Sequence, residues 1–157
     1  MYGKHNAPEL RERLQNLVAD YSVRRHNLTS SSRQRVTECD AILITYGDMI
    51  QESGLSPLRA LASFCRKHLA GEVSVIHILP FFPYSSDDGF SVIDYESVNP
   101  KLGTWSDVTH IGQHFRLMFD AVINHISCKS TWFLGFLRND VHYLDYFITV
   151  EPGTNIS

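Results

Sequence analysis

The sequence has no apolar run near the roughly 20 residues that a helix needs to cross a bilayer, so no spanning helix is expected. Its opening, Met1-Tyr2-Gly3-Lys4-His5, leads into a polar segment rather than the apolar stretch of a signal peptide, and a cytoplasmic location is expected. Cysteine is scarce: Cys39, Cys65 and Cys128 are odd in number, far apart and without Cys-x-x-Cys spacing. That argues against a disulfide framework and against a zinc site, and leaves buried free thiols as the expectation. Charge of one sign is scarce too. A net charge of −3 and a pI near 6.2 give no reason to expect nucleic acid or an anionic membrane surface as a partner. No Gly-x-Gly-x-x-Gly or phosphate-loop pattern follows any apolar run, which removes the usual marker of an open nucleotide-binding sheet. The sequons Asn27-Leu28-Thr29 and Asn155-Ile156-Ser157 would matter only in a secreted protein and carry no weight here.

What is present is the composition of a globular chain: 157 residues, 43% hydrophobic and 20% charged, enough for one ordinary domain. Residues 1–37 differ from the rest, with seven Lys or Arg against three Asp or Glu. Within them Leu10, Leu14, Leu17, Val18 and Tyr21 recur at helical spacing, predicting an amphipathic helix, and Thr29-Ser30-Ser31-Ser32 reads as a polar joint. The expectation is a helix packed on the outside of the domain with a solvated basic face.

After the joint the pattern becomes regular. Ala41-Ile42-Leu43-Ile44-Thr45-Tyr46 reads as a first strand. Ser56 then caps a helix with Pro57 at its first position, a buried stripe of Leu58, Leu61, Ala62, Cys65 and Leu69, and Gly71 as its stop. Val73 to Leu79 is the second predicted strand, followed by a long polar loop. Ser106 is expected to cap a second helix carrying Val108, Ile111 and Phe115, and Leu117 to Ile123 is the third predicted strand. Strands that are apolar almost throughout, alternating with helices, predict a parallel sheet covered on both faces.

Two stretches stand where apolar runs stop: Ser85-Ser86-Asp87-Asp88-Gly89-Phe90-Ser91-Val92-Ile93-Asp94-Tyr95, and Asp120-Ala121-Val122-Ile123-Asn124-His125. Side chains leaving the end of a buried strand suit a βα-type site, because the strand fixes the backbone while the loop exposes polar groups. This favours a barrel over an open sheet. A barrel of eight β/α units takes about 250 residues, so a chain with three such strands reads as a piece of something larger. Asp-Asp-Gly is also good turn chemistry in its own right. Asp87, Asp120, Asn124 and His125 could together form an oxygen-rich calcium site, although that reading is not preferred. His77, His110, His114 and His142 lack such context and read as structural or surface residues.

Leu79-Pro80-Phe81-Phe82-Pro83, the Asp87-Asp88-Gly89-Phe90 turn with Ile93-Asp94-Tyr95, Val98-Asn99-Pro100-Lys101-Leu102-Gly103-Thr104-Trp105, and Asp120 to His125 together resemble the α-amylase superfamily of glycoside hydrolases (family 13). Within it they look most like the sucrose phosphorylase group, whose members act on sucrose, sucrose 6'-phosphate or glucosylglycerate. The resemblance runs from about Ala41 to the end and is specific, since several motifs keep the family's order and spacing. It implies an α/β fold: the N-terminal part, about three β/α units, of a TIM (β/α)8 barrel. Residues 1–37 would be the leading helix and joint, 38–142 those units, and 143–157 the start of an inserted small domain.

The resemblance also implies roles. Asp87 falls where an aspartate hydrogen-bonds glucose hydroxyls in the innermost subsite, work suited to an ionised carboxylate. Phe90 matches an aromatic ring that packs on the apolar sugar face, and His125 matches a histidine that bonds the same glucose from another side. Asp120 and Asn124 would support the site rather than react, with no metal and no organic cofactor required. No catalytic residue lies in these 157: the family's nucleophilic aspartate and acid/base glutamate map beyond Ser157. The implied partners are a sucrose-like α-glucoside and inorganic phosphate, with neither nucleic acid nor membrane, and a homodimer is compatible with the parent enzyme. The alternatives are an inactive sugar-binding remnant, a fragment of an amylase-type hydrolase, or a complete small open-sheet protein.

Overall fold

The structure is a computed structural model that describes residues 7–26, 40–150 and 152–155. The chain forms two compact units, Val36–Tyr146 and a second made of Met1–Arg35 with Phe147–Ser157. The polar joint at Thr29 to Ser32 and Cys39 lie outside the described residues.

In the second of these units, helix α1 spans Ala7–His26, as its spacing predicts. Leu10 is half-buried, and Leu14, Leu17, Val18 and Tyr21 are exposed. Strong helix formers, Glu, Leu, Arg, Gln and Ala, fill most of it.

The larger unit is built on a parallel sheet of three strands, β1 (Ile42–Thr45), β2 (Val75–Ile78) and β3 (Arg116–Phe119), with β2 in the middle. Ile42 to Thr45 register with Val75 to Ile78, which register in turn with Arg116 to Phe119. Helix α2 (Pro57–His68) crosses between the first pair and α3 (Trp105–Gly112) between the second. The Ser56 hydroxyl accepts from the Arg59 N–H and Pro57 starts α2, as the sequence predicts.

Alternation along each strand sends Leu43, Ile76, Ile78 and Leu117 to one face. There they meet Leu58, Leu61 and Cys65 of α2 and Val108 and Ile111 of α3 in the core. The opposite face is largely open at its edges, with Ile44 at 61% exposure and Ile42 and Met118 also exposed, while Val75 and His77 of the middle strand are mostly covered. The expectation of a sheet covered on both faces is therefore corrected. Both helices lie on one side, and β1 and β3 are edges.

Several details also differ from expectation. β2 begins at Val75 because the Ser74 and Val75 N–H groups both turn to the Ala41 carbonyl. β3 ends at Phe119 rather than Ile123: its partner strand runs into Leu79, whose N–H goes to Thr45, and then Pro80, which has no N–H to donate. α3 is capped by Thr104, not Ser106, because the Asp107 carboxylate three residues on accepts the Thr104 N–H at 2.9 Å. Phe115 is buried just after α3 rather than within it. A further helix, α4 (Thr131–Leu137), had no predicted counterpart; the Ser130 hydroxyl caps it by accepting from the Trp132 N–H. The thiols divide, Cys65 being buried as expected and Cys128 exposed. No helix among the described residues is long and apolar enough to cross a membrane.

Candidate functional site

The loop after β2 starts from a rigid anchor. Phe81, 1% exposed, stacks on Phe82 and meets Trp105 and Phe119 edge-on at 5.5 and 5.3 Å. Beyond it the chain folds back on itself: Tyr84 bridges Val92, the Ser85 N–H reaches the Ser91 carbonyl at 3.0 Å, and the Ile93 N–H reaches that of Pro83 at 2.7 Å. Asp87 sits at the tip of this double-backed loop.

Three successive residues at the tip are left-handed, Asp87 (φ 60°), Asp88 (φ 47°) and Gly89 (φ 107°). Asp visits that region more readily than most residues other than glycine. Gly89 has no substitute, since a Cβ there would lie 2.7 Å from the Pro80 carbonyl oxygen. The Phe90 N–H closes the turn on the Asp87 carbonyl at 2.8 Å. The turn leaves the Asp87 side chain exposed and, among the described residues, without a hydrogen bond, while Phe90 is half-buried beside it in sequence. Asp88 is an exposed turn residue, as expected.

The loop after β3 carries the other candidates. Asp120 follows the last paired residue directly, and its Oδ2 lies 3.0 Å from Nε2 of His77 in the middle strand. Val122 is buried, whereas Asn124 and His125 are exposed. Side chains of the β2 loop secure this segment. The Tyr95 hydroxyl donates to the Val122 carbonyl at 2.5 Å and, more weakly, to that of His125 at 3.4 Å. The Ser127 N–H donates to the Val92 carbonyl at 2.9 Å, and the Ser127 and Ser85 hydroxyls meet at 2.6 Å. Burial pushes the Tyr95 phenol above its ordinary value, so it stays a donor through neutral pH. Its ring stacks on Trp132 of α4.

The structure thus joins the loop bearing Asp87 and Phe90 directly to the loop bearing His125. Asp120 is held separately, by His77. Asn124 makes no hydrogen bond among the described residues, and no three His, Cys, Asp or Glu side chains there gather to hold a metal ion. The arrangement offers an unbonded carboxylate, an exposed imidazole and a half-buried ring, a set able to bond hydroxyls and cover a C–H face.

Sequence reasoning missed the partners. His77 read as a structural residue without a role, although an imidazole inside an apolar strand needs a hydrogen-bond partner, and that was the available signal. Tyr95 lay in a motif but had no task, and nothing in the spacing of Ser85 and Ser127 reveals that they meet.

The chain is similar to known proteins. Residues 69–156 match the family model for the α-amylase catalytic domain. The chain is 56% identical over 82% of its length to a glucosylglycerate phosphorylase of Spirochaeta thermophila, and 46% identical over its whole length to one of Allomeiothermus silvanus. It spans only 22% and 27% of those two proteins, about a quarter of their length. The crystal structure of sucrose 6F-phosphate phosphorylase from Thermoanaerobacter thermosaccharolyticum superposes on 66% of the chain with a TM-score of 0.58 and 35% identity, using 20% of that structure. The three-stranded parallel sheet with its helices corresponds to the N-terminal part of that family's barrel. The chain belongs to the α-amylase family, glycoside hydrolase family 13, on the side of the sucrose and glucosylglycerate phosphorylases.

Proposed function

We propose that this chain supplies part of the glucose-binding subsite of a retaining phosphorylase, which moves glucose from an α-glucoside to inorganic phosphate. The observation that carries the reading is the pair of interlocked loops presenting Asp87 and His125 with unbonded side chains. Asp87 accepts hydrogen bonds from glucose hydroxyls, His125 bonds the sugar from a second side, and Phe90 covers its apolar face. Asp120 and Asn124 support the floor. The nucleophile and the acid/base group belong to sequence outside these residues. There the glycosidic bond breaks as a carboxylate takes the glucosyl carbon and the leaving alcohol takes the proton of the acid/base group; phosphate then attacks that carbon from the opposite face, returning a proton to that group and releasing the carboxylate, which restores the configuration.

Glucosylglycerate is the first candidate donor, because two of the most similar proteins are named as its phosphorylases, with sucrose and sucrose 6'-phosphate behind it. Residues 1–37, 38–142 and 143–157 serve as leading helix and joint, first three barrel units, and start of an inserted domain. The parent works in the cytoplasm as a homodimer without an organic cofactor.

The test is phosphate-dependent release of glucose 1-phosphate from each of the three donors. It is run on the 157-residue chain alone and on a hybrid that joins it in frame to the rest of the Allomeiothermus silvanus enzyme. Activity in the hybrid and none in the chain alone supports the reading; activity in the chain alone overturns the placement of the catalytic pair.

A further inference from the structure

The backbone around Tyr95 is held on both sides. Two residues before it, the Ile93 N–H reaches the Pro83 carbonyl at 2.7 Å. The Asp94 carboxylate accepts the Glu96 N–H at 2.8 Å and the Ser97 hydroxyl at 2.5 Å, closing the chain around Tyr95. The Glu96 carbonyl in turn accepts the Trp105 indole N–H at 2.8 Å, which ties the segment to α3. The Tyr95 ring is seated as well. It stacks on Trp132 with centroids 5.5 Å apart and meets Phe82 edge-on at 5.6 Å, and Phe82 stacks on the buried Phe81. With backbone and ring both fixed, the direction of the hydroxyl is fixed too.

That hydroxyl reaches the other loop. It lies 2.5 Å from the Val122 carbonyl oxygen and 3.4 Å from that of His125. A phenol has one proton, so the short contact with Val122 is the hydrogen bond, and the His125 carbonyl stands at the edge of its range. Two residues beyond His125, the Ser127 N–H donates to the Val92 carbonyl, in the same loop as Tyr95. His125 thus stands between two tethers, and both lead to the loop that bears Asp87 and Phe90. The Ser127 tether is backbone to backbone, so any residue but proline could supply it. The Tyr95 tether depends on one side-chain oxygen.

We propose that Tyr95 is a positioning residue for sugar binding: through its hydroxyl on the Val122 carbonyl it sets the stretch from which His125 reaches the glucosyl group. This rests on the phosphorylase reading above. The test is a pair of double-mutant cycles in the hybrid enzyme. Tyr95→Phe keeps the ring stack, removes only the hydroxyl, and lowers kcat/KM for glucosylglycerate on the order of 10-fold, the scale of a misplaced contact. In the His125→Ala background the same change costs less than about twofold, because the group it positions is gone. In the Asp87→Ala background it still costs on the order of 10-fold, since it does not act through that carboxylate. Where Tyr95→Phe does not fold, Trp132→Phe, which keeps a ring on Tyr95 but shifts its seat, carries the cycles in its place.

Backbone chemical shifts in the 157-residue chain separate the inference from the reading it rests on. The carbonyl and amide shifts of Val122 to His125 move on Tyr95→Phe. An active hybrid in which the substitution is silent, or costs the same with and without His125, removes the role of Tyr95 alone, as do Val122 to His125 shifts that ignore it. A hybrid with no phosphorolysis, while those shifts move as expected, sinks the phosphorylase reading and the role of Tyr95 in sugar binding with it.

Discussion

The hydroxyl of Ser85 lies 2.6 Å from that of Ser127, joining the loop that follows β2 to the loop that follows β3. Ser127 is buried, its hydroxyl also accepts the Lys129 N–H, and its own N–H goes to Val92. With the Tyr95 hydroxyl on Val122, these bonds set where Asp87 stands relative to His125 along the end of the sheet. In the proposed function sugar recognition depends on that offset, because two groups must reach hydroxyls of one ring.

Ser127→Ala removes the joint, while Ser85 keeps the Ser91 hydroxyl and the exposed Lys129 N–H turns to water. Stability falls by about 0.5 to 1.5 kcal/mol, the net worth of a hydrogen bond. Urea unfolding measures it, and an unchanged midpoint means the joint carries no energy.

Asp87→Ala and His125→Ala act chiefly on binding. Both side chains are exposed and unbonded, so their loss leaves no cavity and no stranded partner. In the hybrid enzyme each substitution lowers kcat/KM by orders of magnitude, on the scale of about 100-fold or more for a lost positioning contact. The thermal midpoint stays put in His125→Ala and falls a little in Asp87→Ala, because alanine is less at ease than aspartate at φ 60°. Wild-type kinetics in either variant removes that residue from the site.

Gly89→Ala should damage the loop and the site together. The new Cβ meets backbone, the Pro80 carbonyl oxygen, at 2.7 Å and sits at φ 107°, so no side-chain rotation relieves it. The cost exceeds about 1 kcal/mol, and the Asp87 turn shifts. Circular dichroism with denaturant reports the first effect and donor KM the second; a variant with wild-type values in both contradicts the geometry given for the tip.

The thiols should differ in reactivity. A thiol reagent followed by peptide mass spectrometry labels Cys128 quickly in the folded protein and Cys65 only on unfolding. Burial also raises the Cys65 thiol above its ordinary value of 9.0. Its protonated form is the one the fold favours, so its contribution is complete below 9.0 and is lost as pH rises past it, because the unfolded chain releases that proton first. Stability therefore declines above about pH 9, and Cys65→Ala makes that decline shallower. Rapid labelling of Cys65 in the native protein would refute its placement in the core.

Much of the scaffold is legible in local chemistry. Ser56-Pro57 announces a helix start, and Leu58, Leu61, Ala62 and Cys65 at helical spacing announce its buried face, because both signals act within a turn. The parallel sheet follows from apolar strands separated by helices. The end of β3 is not legible that way: Ala121, Val122 and Ile123 are as apolar as the strand, and only the neighbouring Leu79-Pro80 stops the ladder. The cap of α3 turns on which of Thr104 and Ser106 finds a carboxylate three residues on, and Asp107 decides for Thr104.

In the site, Asp87, Phe90, Asp120, Asn124 and His125 are visible as polar or aromatic groups at strand ends. What holds them is not visible. The His77 to Asp120 bond spans 43 positions and the Ser85 to Ser127 bond 42, separations that the register of β2 and β3 fixes and no local pattern carries. The apolar stripe of α1 shows the opposite limit, since helical spacing predicts the helix and says nothing of whether its face is covered.

The most direct measurement is the fate of the glucosyl group when the hybrid enzyme is given glucosylglycerate, followed by NMR with and without inorganic phosphate. The account predicts α-glucose 1-phosphate and free glycerate accumulating together, and only when phosphate is present. Free glucose at the same rate in both samples, or a product of β configuration, would contradict it.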